Sequence, residues 1–423
     1  MRGFVIAAPS SGSGKTTLTL AILRALKNRN LTVRSAKSGP DYIDPKFHAA
    51  ATGQPCVNLD AWAMSPAQLR SRLPVADCVV VEGAMGLFDG APPDNRGSAA
   101  DLAAALGLPV VLVVDAGKMA GSIAPLVSGF VGYSNDITIA GVILNNVGSP
   151  RHDRMLRRAL DPLNIPVFGT VFRNPSLALP SRHLGLVQAQ EHSDLDQFLE
   201  LAAKTAEDSI DLNAILALSA PPATAPSHPA ITPPAQRIAI AQDVAFAFSY
   251  PHLLSDWRDG GAEIIPFSPL ANDPVPDADF IYLPGGYPEL FAGQIAQSTT
   301  FLNSLRKAAQ DTVIYGECGG YMTLGDTLTD ADGVTHKMAG LLALETSFAK
   351  RKLHLGYRTV TAASGPFAGT WSAHEFHYAT TLSAKGDALF TATDAEGTAL
   401  PDMGLRNGSV SGSFAHLICP HGH

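Results

Sequence analysis

The amino-acid sequence predicts an α/β protein of two domains, each built on a parallel β-sheet that helices cover on both faces. Short runs of apolar and β-branched residues alternate with Ala- and Leu-rich stretches of helical length, and a proline-rich stretch separates two series of such runs. The 423 residues exceed one ordinary domain, and 46% hydrophobic against 16% charged residues is a globular composition. The chain is therefore expected to fold without a partner.

The first series of strand-like runs begins at residues 4–9 (FVIAAP), which are followed by a Gly/Ser-rich loop and a helical pattern. This order is the first half of a βαβ unit. Further strand-like runs are LTVRSAKSG (31–39), DCVVVEGAMG (77–86), LPVVLVVDAG (108–117), ITIAGVILNNV (137–147) and IPVFGTVF (165–172). Continuous apolar runs of this kind favour a buried parallel sheet, and we assign them to a domain over residues 1–218.

Residues 219–236 (SAPPATAPSHPAITPPAQ) are rich in Pro, Ala and Ser, which excludes a central strand or an uninterrupted helix. We interpret this stretch as an interdomain linker. Strand-like runs then restart at RIAIAQD (237–243), AEIIPFSPL (262–270), ADFIYLPGG (278–286) and DTVIYGECGG (311–320). A second α/β domain is therefore expected over residues 237–420.

Charge and composition exclude several classes of protein. Lys and Arg number 30 against 38 Asp and Glu, a net charge of −8, so the basic surface of a nucleic-acid-binding protein is not expected. No apolar run approaches the roughly 18 residues of a membrane span, and the N-terminus is unlike a signal peptide. The few, scattered cysteines favour a reducing cytoplasm over a disulfide framework: Cys56, Cys78, Cys318 and Cys419.

The loop after the first strand has the features of a phosphate-binding loop. Residues 9–17 read PSSGSGKTT between a strand and a helix, as in a Walker A motif, although Pro9 stands where the first glycine is usual. Glycines at 12 and 14 turn backbone N–H groups toward phosphate oxygens, Lys15 reaches the β- and γ-phosphates, and Thr16 can bind Mg²⁺. The sequence therefore predicts an ATP site formed by Gly12, Gly14, Lys15, Thr16 and Thr17; the structural alternative is a Gly/Ser turn before an amphipathic helix.

Acidic residues follow three of the predicted strands. They lie in GPDYIDP, in VVVEGAMGLFDG and at the end of LPVVLVVD: Asp41, Asp44, Glu82, Asp89 and Asp115. The carboxyl ends of strands in an open α/β sheet form the ligand crevice, and carboxylate oxygens suit Mg²⁺. We expect Asp41 and Glu82 to hold Mg²⁺ together with Thr16. We expect Asp44 and Asp89 to contact the substrate or to take part in its activation. Each acid alone could instead be a helix cap or a turn residue.

In the second domain, Cys318 lies between a strand and a predicted helix and is followed by two glycines. This arrangement resembles the strained elbow that presents a nucleophile in serine hydrolases. The helix N-terminus is expected to stabilise a thiolate, and the Gly319 N–H to bind an oxyanion. The pair Gly285 and Gly286 also ends a strand and is a candidate for the second oxyanion donor. The alternative for Cys318 is a small buried hydrophobic residue, the role expected of the other cysteines.

A nucleophilic cysteine needs a base, and the candidates are His374, His377 and His416. In HEFH the two histidines are three residues apart rather than the four of HExxH, with no clear third ligand, so a zinc site is not expected.

These sequence segments, and their order along the chain, resemble those of the glutamine-dependent cobyrinate or hydrogenobyrinate a,c-diamide synthases of corrinoid biosynthesis. The resemblance covers almost the whole chain; beside the phosphate loop and the strings above it includes SAKSGPDYIDPKFH, GVILNNV, LPSRHLGLV, IAIAQDVAFAFSYPHLL, YLPGGYPELFA, YGECGGYMTL, HEFHY and GSFAHL. It implies an N-terminal P-loop domain similar to dethiobiotin synthetase and a C-terminal class I glutamine amidotransferase domain.

The resemblance also implies roles for individual residues. Cys318 would be the glutaminase nucleophile and His416 the residue that raises its nucleophilicity. Members of the wider amidotransferase class usually have His-Pro-Glu at this place, whereas this chain reads His416-Leu417-Ile418, so the third triad member is absent or supplied elsewhere. ATP with Mg²⁺ would convert a macrocycle carboxylate to an acyl phosphate, which ammonia from glutamine would amidate.

Several alternatives remain at this stage. Arg182 and His183 are candidates to contact the polyanionic corrinoid, or belong to a plain surface loop. A cobyric acid synthase, a P-loop regulatory ATPase with a non-catalytic second domain, and a stand-alone cysteine hydrolase are the competing functions. The sequence leaves open whether the macrocycle holds cobalt and whether the chain forms a homodimer.

Overall fold

A computed structural model describes residues 1–178, 181–182, 185–186, 189, 194–224 and 230–422, with the backbone alone for 181–182 and 185–186. The chain divides into two compact units, Met1–His228 (unit 1) and Pro229–His423 (unit 2). The division falls inside the stretch 219–236, whose function as a linker stays a prediction.

Unit 1 contains a seven-stranded sheet with the order β3-β2-β4-β1-β5-β6-β7. Its strands are β1 (Arg2–Ala7), β2 (Val33–Ser38), β3 (Val57–Leu59), β4 (Cys78–Glu82), β5 (Val110–Asp115), β6 (Ile139–Val147) and β7 (Val167–Phe172). All the pairings are parallel, which confirms the predicted fold class and the six predicted strands. The short β3 is the one strand that the apolar runs did not predict.

The helices of unit 1 connect these parallel strands. They are α1 (Lys15–Asn28), α2 (Asp44–Thr52), α3 (Pro66–Ser71), α4 (Ala99–Leu106), α5 (Ile123–Gly132), α6 (Pro150–Leu160), α7 (Leu195–Ser209) and α8 (Leu212–Leu218); a two-stranded sheet pairs β8 (Ser181–Arg182) with β9 (Gly185–Leu186). The strand β4 is buried at every position, since helices cover both faces of the sheet. Because β2, β4 and β1 are parallel neighbours, the loops that follow them lie together at the carboxyl ends of the strands.

Unit 2 has a six-stranded sheet with the order β11-β10-β12-β13-β23-β22. The strands that sequence analysis predicted, β10 (Arg237–Ala241), β11 (Glu263–Phe267), β12 (Phe280–Leu283) and β13 (Val313–Glu317), are parallel to one another. The helices are α9 (Pro251–Asp259), α10 (Ala292–Gln297), α11 (Thr299–Ala308) and α12 (Gly319–Leu324). This sheet confirms the second α/β domain.

The remaining strands of unit 2 pair mostly antiparallel, apart from the parallel pairs β14–β16 and β13–β23, and were not predicted in detail. Its strands are β14 (Thr327–Thr329), β15 (Thr335–Lys337), β16 (Ala343–Ser347), β17 (His354–Ala362), β18 (Gly369–His377), β19 (Thr380–Lys385), β20 (Phe390–Asp394), β21 (Ala399–Met403), β22 (Leu405–Asn407), β23 (Val410–Ser413) and β24 (Ala415–Pro420). The five-stranded sheet β21-β20-β17-β18-β24 places β18 beside β24 with His374 opposite His416. This register brings two of the candidate histidines together.

Within the described part of the chain, no helix is both long enough and apolar enough to cross a membrane.

Candidate active sites

The loop between β1 and α1 has the conformation that a phosphate-binding loop requires. Gly12 and Gly14 adopt φ angles of 80° and 83°, a left-handed region that favours glycine. A side-chain carbon on Gly14 would also lie 2.1 Å from Asn145 Nδ2, and this amide donates a hydrogen bond to the Ser13 carbonyl at 2.9 Å. The loop is therefore fixed by its glycines and by Asn145, a residue that the sequence analysis did not select.

Lys15 is buried at the start of α1, and its Nζ donates a hydrogen bond to the Met85 carbonyl at 2.7 Å. Burial, helped by the charge of Lys37, lowers the pKa of Lys15 to about 8. A cavity of about 430 Å³ lies beside it and is lined by loop residues that include Gly12, Thr16 and Thr17. The negative phosphates of a nucleotide in this cavity would stabilise the charged form of Lys15.

Two carboxylates, at the end of β4 and at the start of α2, converge on the Thr16 hydroxyl. Thr16 Oγ1 lies 2.6 Å from Glu82 Oε1 and 3.3 Å from Asp44 Oδ2. A buried lysine, Lys37, joins the cluster with its Nζ 2.6 Å from Asp44 Oδ2 and 2.9 Å from Glu82 Oε1. The arrangement brings together hard oxygen donors at the mouth of the phosphate loop.

The charges of this cluster stabilise one another. Burial opposes ionisation of Glu82, but the Lys37 charge, followed by the His48 contact, outweighs it and holds the pKa of Glu82 well below its usual range. Burial also opposes the Lys37 charge, but Asp44 and Glu82 outweigh it and raise the pKa of Lys37. His48 Nε2 lies 2.6 Å from Glu82 Oε2, which fixes the second oxygen of this carboxylate. Glu82 is therefore an ionised, oriented oxygen donor.

This donor set fits Mg²⁺, because Thr16, Asp44 and Glu82 offer a hydroxyl and two carboxylates, the ligands that the ion prefers. The structure favours Asp44 over Asp41 as the second carboxylate. One oxygen of Asp41 accepts the backbone N–H groups of Ile43 and Asp44, and the other lies 3.8 Å from Lys37 Nζ.

Two other predicted acids have local partners. Asp89 accepts the Gly86 N–H at 2.9 Å and Asp115 accepts the Gly117 N–H at 2.9 Å, so both stabilise turns in the loops that follow their strands. Arg182 lies in β8, where only the backbone is described. His183 lies outside the described residues, and contact of these two side chains with a substrate stays a prediction.

In unit 2, the chain makes a sharp turn at Cys318 between β13 and α12. Cys318 has φ 45° and ψ −99°, a strained conformation for a residue with a side chain, and its N–H donates to the Ser413 carbonyl at 2.8 Å. This confirms the strand–turn–helix elbow expected from the sequence. The turn directs the thiol to the carboxyl edge of the sheet, where the loop after β12 also lies.

Gly285 lies between Cys318 and His416. A side-chain carbon on Gly285 would lie 2.4 Å from His416 Cε1 and 3.4 Å from Cys318 Cβ, so the imidazole and the cysteine border the same small space. A residue with a side chain would displace the imidazole. The absence of a side chain at this position therefore allows the cysteine and His416 to be neighbours.

The two candidate oxyanion donors lie side by side. The backbone nitrogen of Gly286 is 3.0 Å from the position that a side-chain carbon on Gly319 would take. The Gly319 N–H is directed at the Cys318 sulfur. Two backbone N–H groups next to a nucleophile are the donors that an oxyanion hole requires.

The expectation of a thiolate in the resting site is wrong. Burial, followed by the charge of Glu289, raises the pKa of Cys318 above its usual value despite the N–H of Gly319. The helix that follows has only six residues, and the sulfur is almost fully shielded from water. Cys318 is therefore a thiol, and a reaction at its sulfur would require a base to take the proton.

The other candidate bases, His374 and His377, are buried on β18. Burial, followed by the His416 charge, lowers the pKa of His374 to about 3, which keeps it neutral. His377 Nε2 lies 3.1 Å from Glu375 Oε1 and its ring stacks on Phe414. His374 lies opposite His416 in the adjacent strand, whereas the contacts of His377 are with Glu375 and Phe414.

His354, Glu375 and His377 carry ligand atoms within 4.8 Å of one another, close enough to suggest a metal site. The rings of His354 and His377 stack with planes only 7° apart, and a metal must lie in the plane of each imidazole that binds it. Arg358 also donates to Glu375 at 3.0 Å. The group fits an ion-pair network better than a metal site.

The remaining cysteines, Cys56, Cys78 and Cys419, are buried and not joined in disulfides, as expected for packing residues. Cys56 Sγ lies 3.4 Å from His48 Nδ1, which links it to the Glu82 contact. Sequence reasoning did not select Lys37, His48 or Glu317; the first two lie in SAKSGPDYIDPKFH, the string on which the resemblance partly depends.

Comparisons with known proteins identify the type of domain in each unit. A model of the CobQ/CobB/MinD/ParA nucleotide binding domain matches residues 4–187, and one of the CobB/CobQ-like glutamine amidotransferase domain matches residues 237–422. A nucleotide-binding unit joined to a glutamine amidotransferase unit defines a glutamine-dependent amide-forming ligase.

The chain is 55% identical to a hydrogenobyrinate a,c-diamide synthase of Brucella anthropi over 99% of this chain and 98% of the relative. It is 52% identical to one of Rhizobium meliloti over 99% of both. The chain belongs to the hydrogenobyrinate a,c-diamide synthase family, which confirms the resemblance in the sequence.

Proposed function

We propose that the protein uses ATP and glutamine to amidate the a and c carboxylates of hydrogenobyrinate in cobalamin biosynthesis. The observation that carries this proposal is that one chain holds both a phosphate-binding loop with an acidic cluster and a cysteine that borders an imidazole at a strained elbow. The names of the relatives favour the cobalt-free macrocycle over cobyrinate.

In unit 1, the phosphate loop and Lys15 bind the ATP phosphates, and a carboxylate oxygen of the macrocycle attacks the γ-phosphorus. The P–O bond to ADP breaks, and an acyl phosphate forms. A free carboxylate is a poor electrophile, whereas phosphate is a good leaving group. Thr16, Asp44 and Glu82 would hold Mg²⁺, which would offset the phosphate charge.

In unit 2, the Cys318 thiol transfers its proton to His416 while the sulfur attacks the side-chain amide carbon of glutamine. The N–H groups of Gly286 and Gly319 stabilise the oxyanion. The C–N bond breaks as the imidazolium returns the proton to the leaving ammonia, and water hydrolyses the thioester to glutamate. Ammonia displaces phosphate from the acyl phosphate and forms the amide; the second carboxylate follows in another turnover.

The test is mass spectrometry of hydrogenobyrinic acid after incubation with the protein, ATP, Mg²⁺ and glutamine. The expected product carries two NH₂ groups in place of two OH groups, with one ADP formed per amide. Cobyrinic acid is tested in parallel and shows whether the protein also accepts the macrocycle that contains cobalt.

The matched variant is Cys318→Ala, which we expect to lose glutamine-dependent amidation and to keep amidation with free ammonia. ADP release that glutamine and the macrocycle do not stimulate would favour a regulatory ATPase and would contradict the proposal.

A further inference from the structure

The residue that orients His416 is not where the sequence pattern of related amidotransferases would place it. Position 418, two residues after the histidine, is a buried isoleucine without charge, and its backbone carbonyl faces His252 Nε2 at 2.7 Å. A general base that must present one particular ring nitrogen needs a partner on the other nitrogen. The structure offers such a partner on a different strand.

Glu317, the residue before the nucleophile, faces the imidazole. Its Oε2 lies 3.5 Å from His416 Nδ1, and the exposed fractions of the two side chains are 2% and 1%. This separation is slightly longer than a good hydrogen bond, and catalytic hydrogen bonds often shorten when substrate binds. Since Glu317 and Cys318 are adjacent at the end of β13, one strand delivers both the nucleophile and a carboxylate to His416.

The carboxylate of Glu317 is fixed by two further contacts. The Tyr282 hydroxyl donates to Oε2 at 2.8 Å, and the Leu417 N–H donates to Oε1 at 3.1 Å. Leu417 follows His416, so the same carboxylate holds the backbone of β24 next to the imidazole. Within the described residues, no lysine or arginine forms an ion pair with Glu317, and an uncompensated buried carboxylate is costly. Its natural counter-charge is the imidazolium that forms during the reaction.

The other ionisable groups around His416 do not compete for this role. His374 faces it from β18 and is kept neutral by burial, and Cys318 approaches it past Gly285. The Tyr282 hydroxyl contacts Glu317. Among the described residues, Glu317 is the carboxylate that forms an ion-pair contact within 4 Å of His416, on its Nδ1 side.

We propose that Glu317 is the positioning residue of the glutaminase site: it accepts a hydrogen bond from the Nδ1–H of His416, leaves Nε2 as the base for the Cys318 thiol, and stabilises the imidazolium. This inference rests on the proposed function, because it assigns Glu317 to the glutamine half-reaction. It supplies the third member that the sequence pattern lacks.

The test is Glu317→Gln, which keeps the size of the side chain and removes its charge. We expect kcat for glutamine-dependent amidation to fall by about 10⁴-fold with little change in KM for glutamine, as when the carboxylate of a catalytic triad becomes an amide. Ammonia-dependent amidation is expected to stay unchanged. The acidic limb of the kcat/KM profile should move to lower pH, because loss of the negative charge disfavours the protonated imidazole.

Tyr282→Phe is the matched control, since it removes one hydrogen bond from Glu317 and leaves the charge; we expect less than about a tenfold fall in kcat. Glu317→Asp should retain more activity than Glu317→Gln. If Glu317→Gln keeps the full kcat while Cys318→Ala abolishes glutamine use, the positioning role is wrong and the proposed function stands. If Cys318→Ala keeps glutamine use, the proposed function itself fails. Loss of ammonia-dependent amidation in both Glu317 variants would show a structural role and overturn the inference.

Discussion

The two sites occupy the same place in two different units, at a turn between a parallel strand and a helix, but they obtain their geometry in different ways. The phosphate loop uses Gly12 and Gly14, which adopt positive φ angles with little strain. The thiol site uses Cys318, which adopts a positive φ angle despite its side chain. A loop that wraps an anion needs backbone freedom, whereas a nucleophile needs one fixed side chain.

The two sites differ in the arrangement of their charged groups as well as in their backbone conformations. The nucleotide site combines Lys15 and Lys37 with three carboxylates, and Lys37 forms ion pairs with all three. The thiol site holds one carboxylate beside His416 and a cysteine that burial keeps protonated. The first site is arranged to bind a highly charged ligand, and the second to move a single proton in a place that excludes water.

The largest expected effect separates the two sites through Lys15. Lys15→Ala should lower ATP-dependent amidation by about 10³-fold or more, because the loop loses the cation that reaches the phosphates. Glutaminase activity should remain, since Cys318 and His416 are untouched. ADP and glutamate release are measured on the same samples. Lys27→Ala, on the same helix but at its other end, is the control and should keep both activities. Equal loss of glutamate release in Lys15→Ala would contradict the separation of the sites.

A second variant tests the thiol site by steric means alone. In Gly285→Ala the new methyl group would lie 2.4 Å from His416 Cε1, so the imidazole must move. We expect glutamine-dependent kcat to fall by about 10²-fold, since a small misplacement of a catalytic group has this effect. Amidation with ammonia should persist.

Gly293→Ala is the control for this substitution. Its methyl group would meet His336 Cε1 at 3.4 Å, an ordinary contact, and the residue lies in helix α10. Full glutaminase activity in Gly285→Ala would mean that His416 does not act from its position beside this glycine.

The difference between the sites also explains how much the sequence could predict. The phosphate loop is a contiguous segment, so the local order of residues was enough to predict roles for Gly12, Gly14, Lys15 and Thr16. Apolar runs likewise predicted the parallel strands, because these strands are buried on both faces. The local sequence pattern therefore predicted the phosphate loop and most of the strands of unit 1.

Contacts between distant residues could not be predicted in this way. The pairing of Glu317 with His416 joins β13 to β24, and it depends on antiparallel strands that carry no strong apolar run. Lys37 lies in a strand, and only the fold shows that it is buried among carboxylates. The thiolate expectation failed for the same reason, because burial of Cys318 depends on the packing of the whole unit.

The smallest expected effect concerns the pH dependence of stability, where unit 2 should become less stable in mild acid. The pKa of His374 is about 3 in the folded state, because of burial and then the His416 charge, against roughly 6.5 when unfolded. Between these two pH values the unfolded chain binds a proton that the folded chain does not. The contribution of His374 to the free energy of unfolding is therefore present above pH 6.5 and is lost as pH falls. From pH 7 to pH 5 this amounts to roughly 2 kcal/mol of unfolding free energy.

The measurement is urea unfolding followed by tryptophan fluorescence in a Trp62→Phe background, which leaves Trp257 and Trp371 of unit 2 as reporters. The pH slope of the unfolding free energy should decrease in His374→Asn, and an unchanged slope would show that another group is responsible.

His48 in unit 1 should show the opposite pH dependence. Burial opposes its charge, but Cys56 and Glu82 outweigh burial and raise the pKa of His48, so its contribution is present below pH 6.5 and is lost as pH rises. The sign of the pH dependence thus distinguishes a histidine that is buried as a neutral ring from one that is buried as a cation.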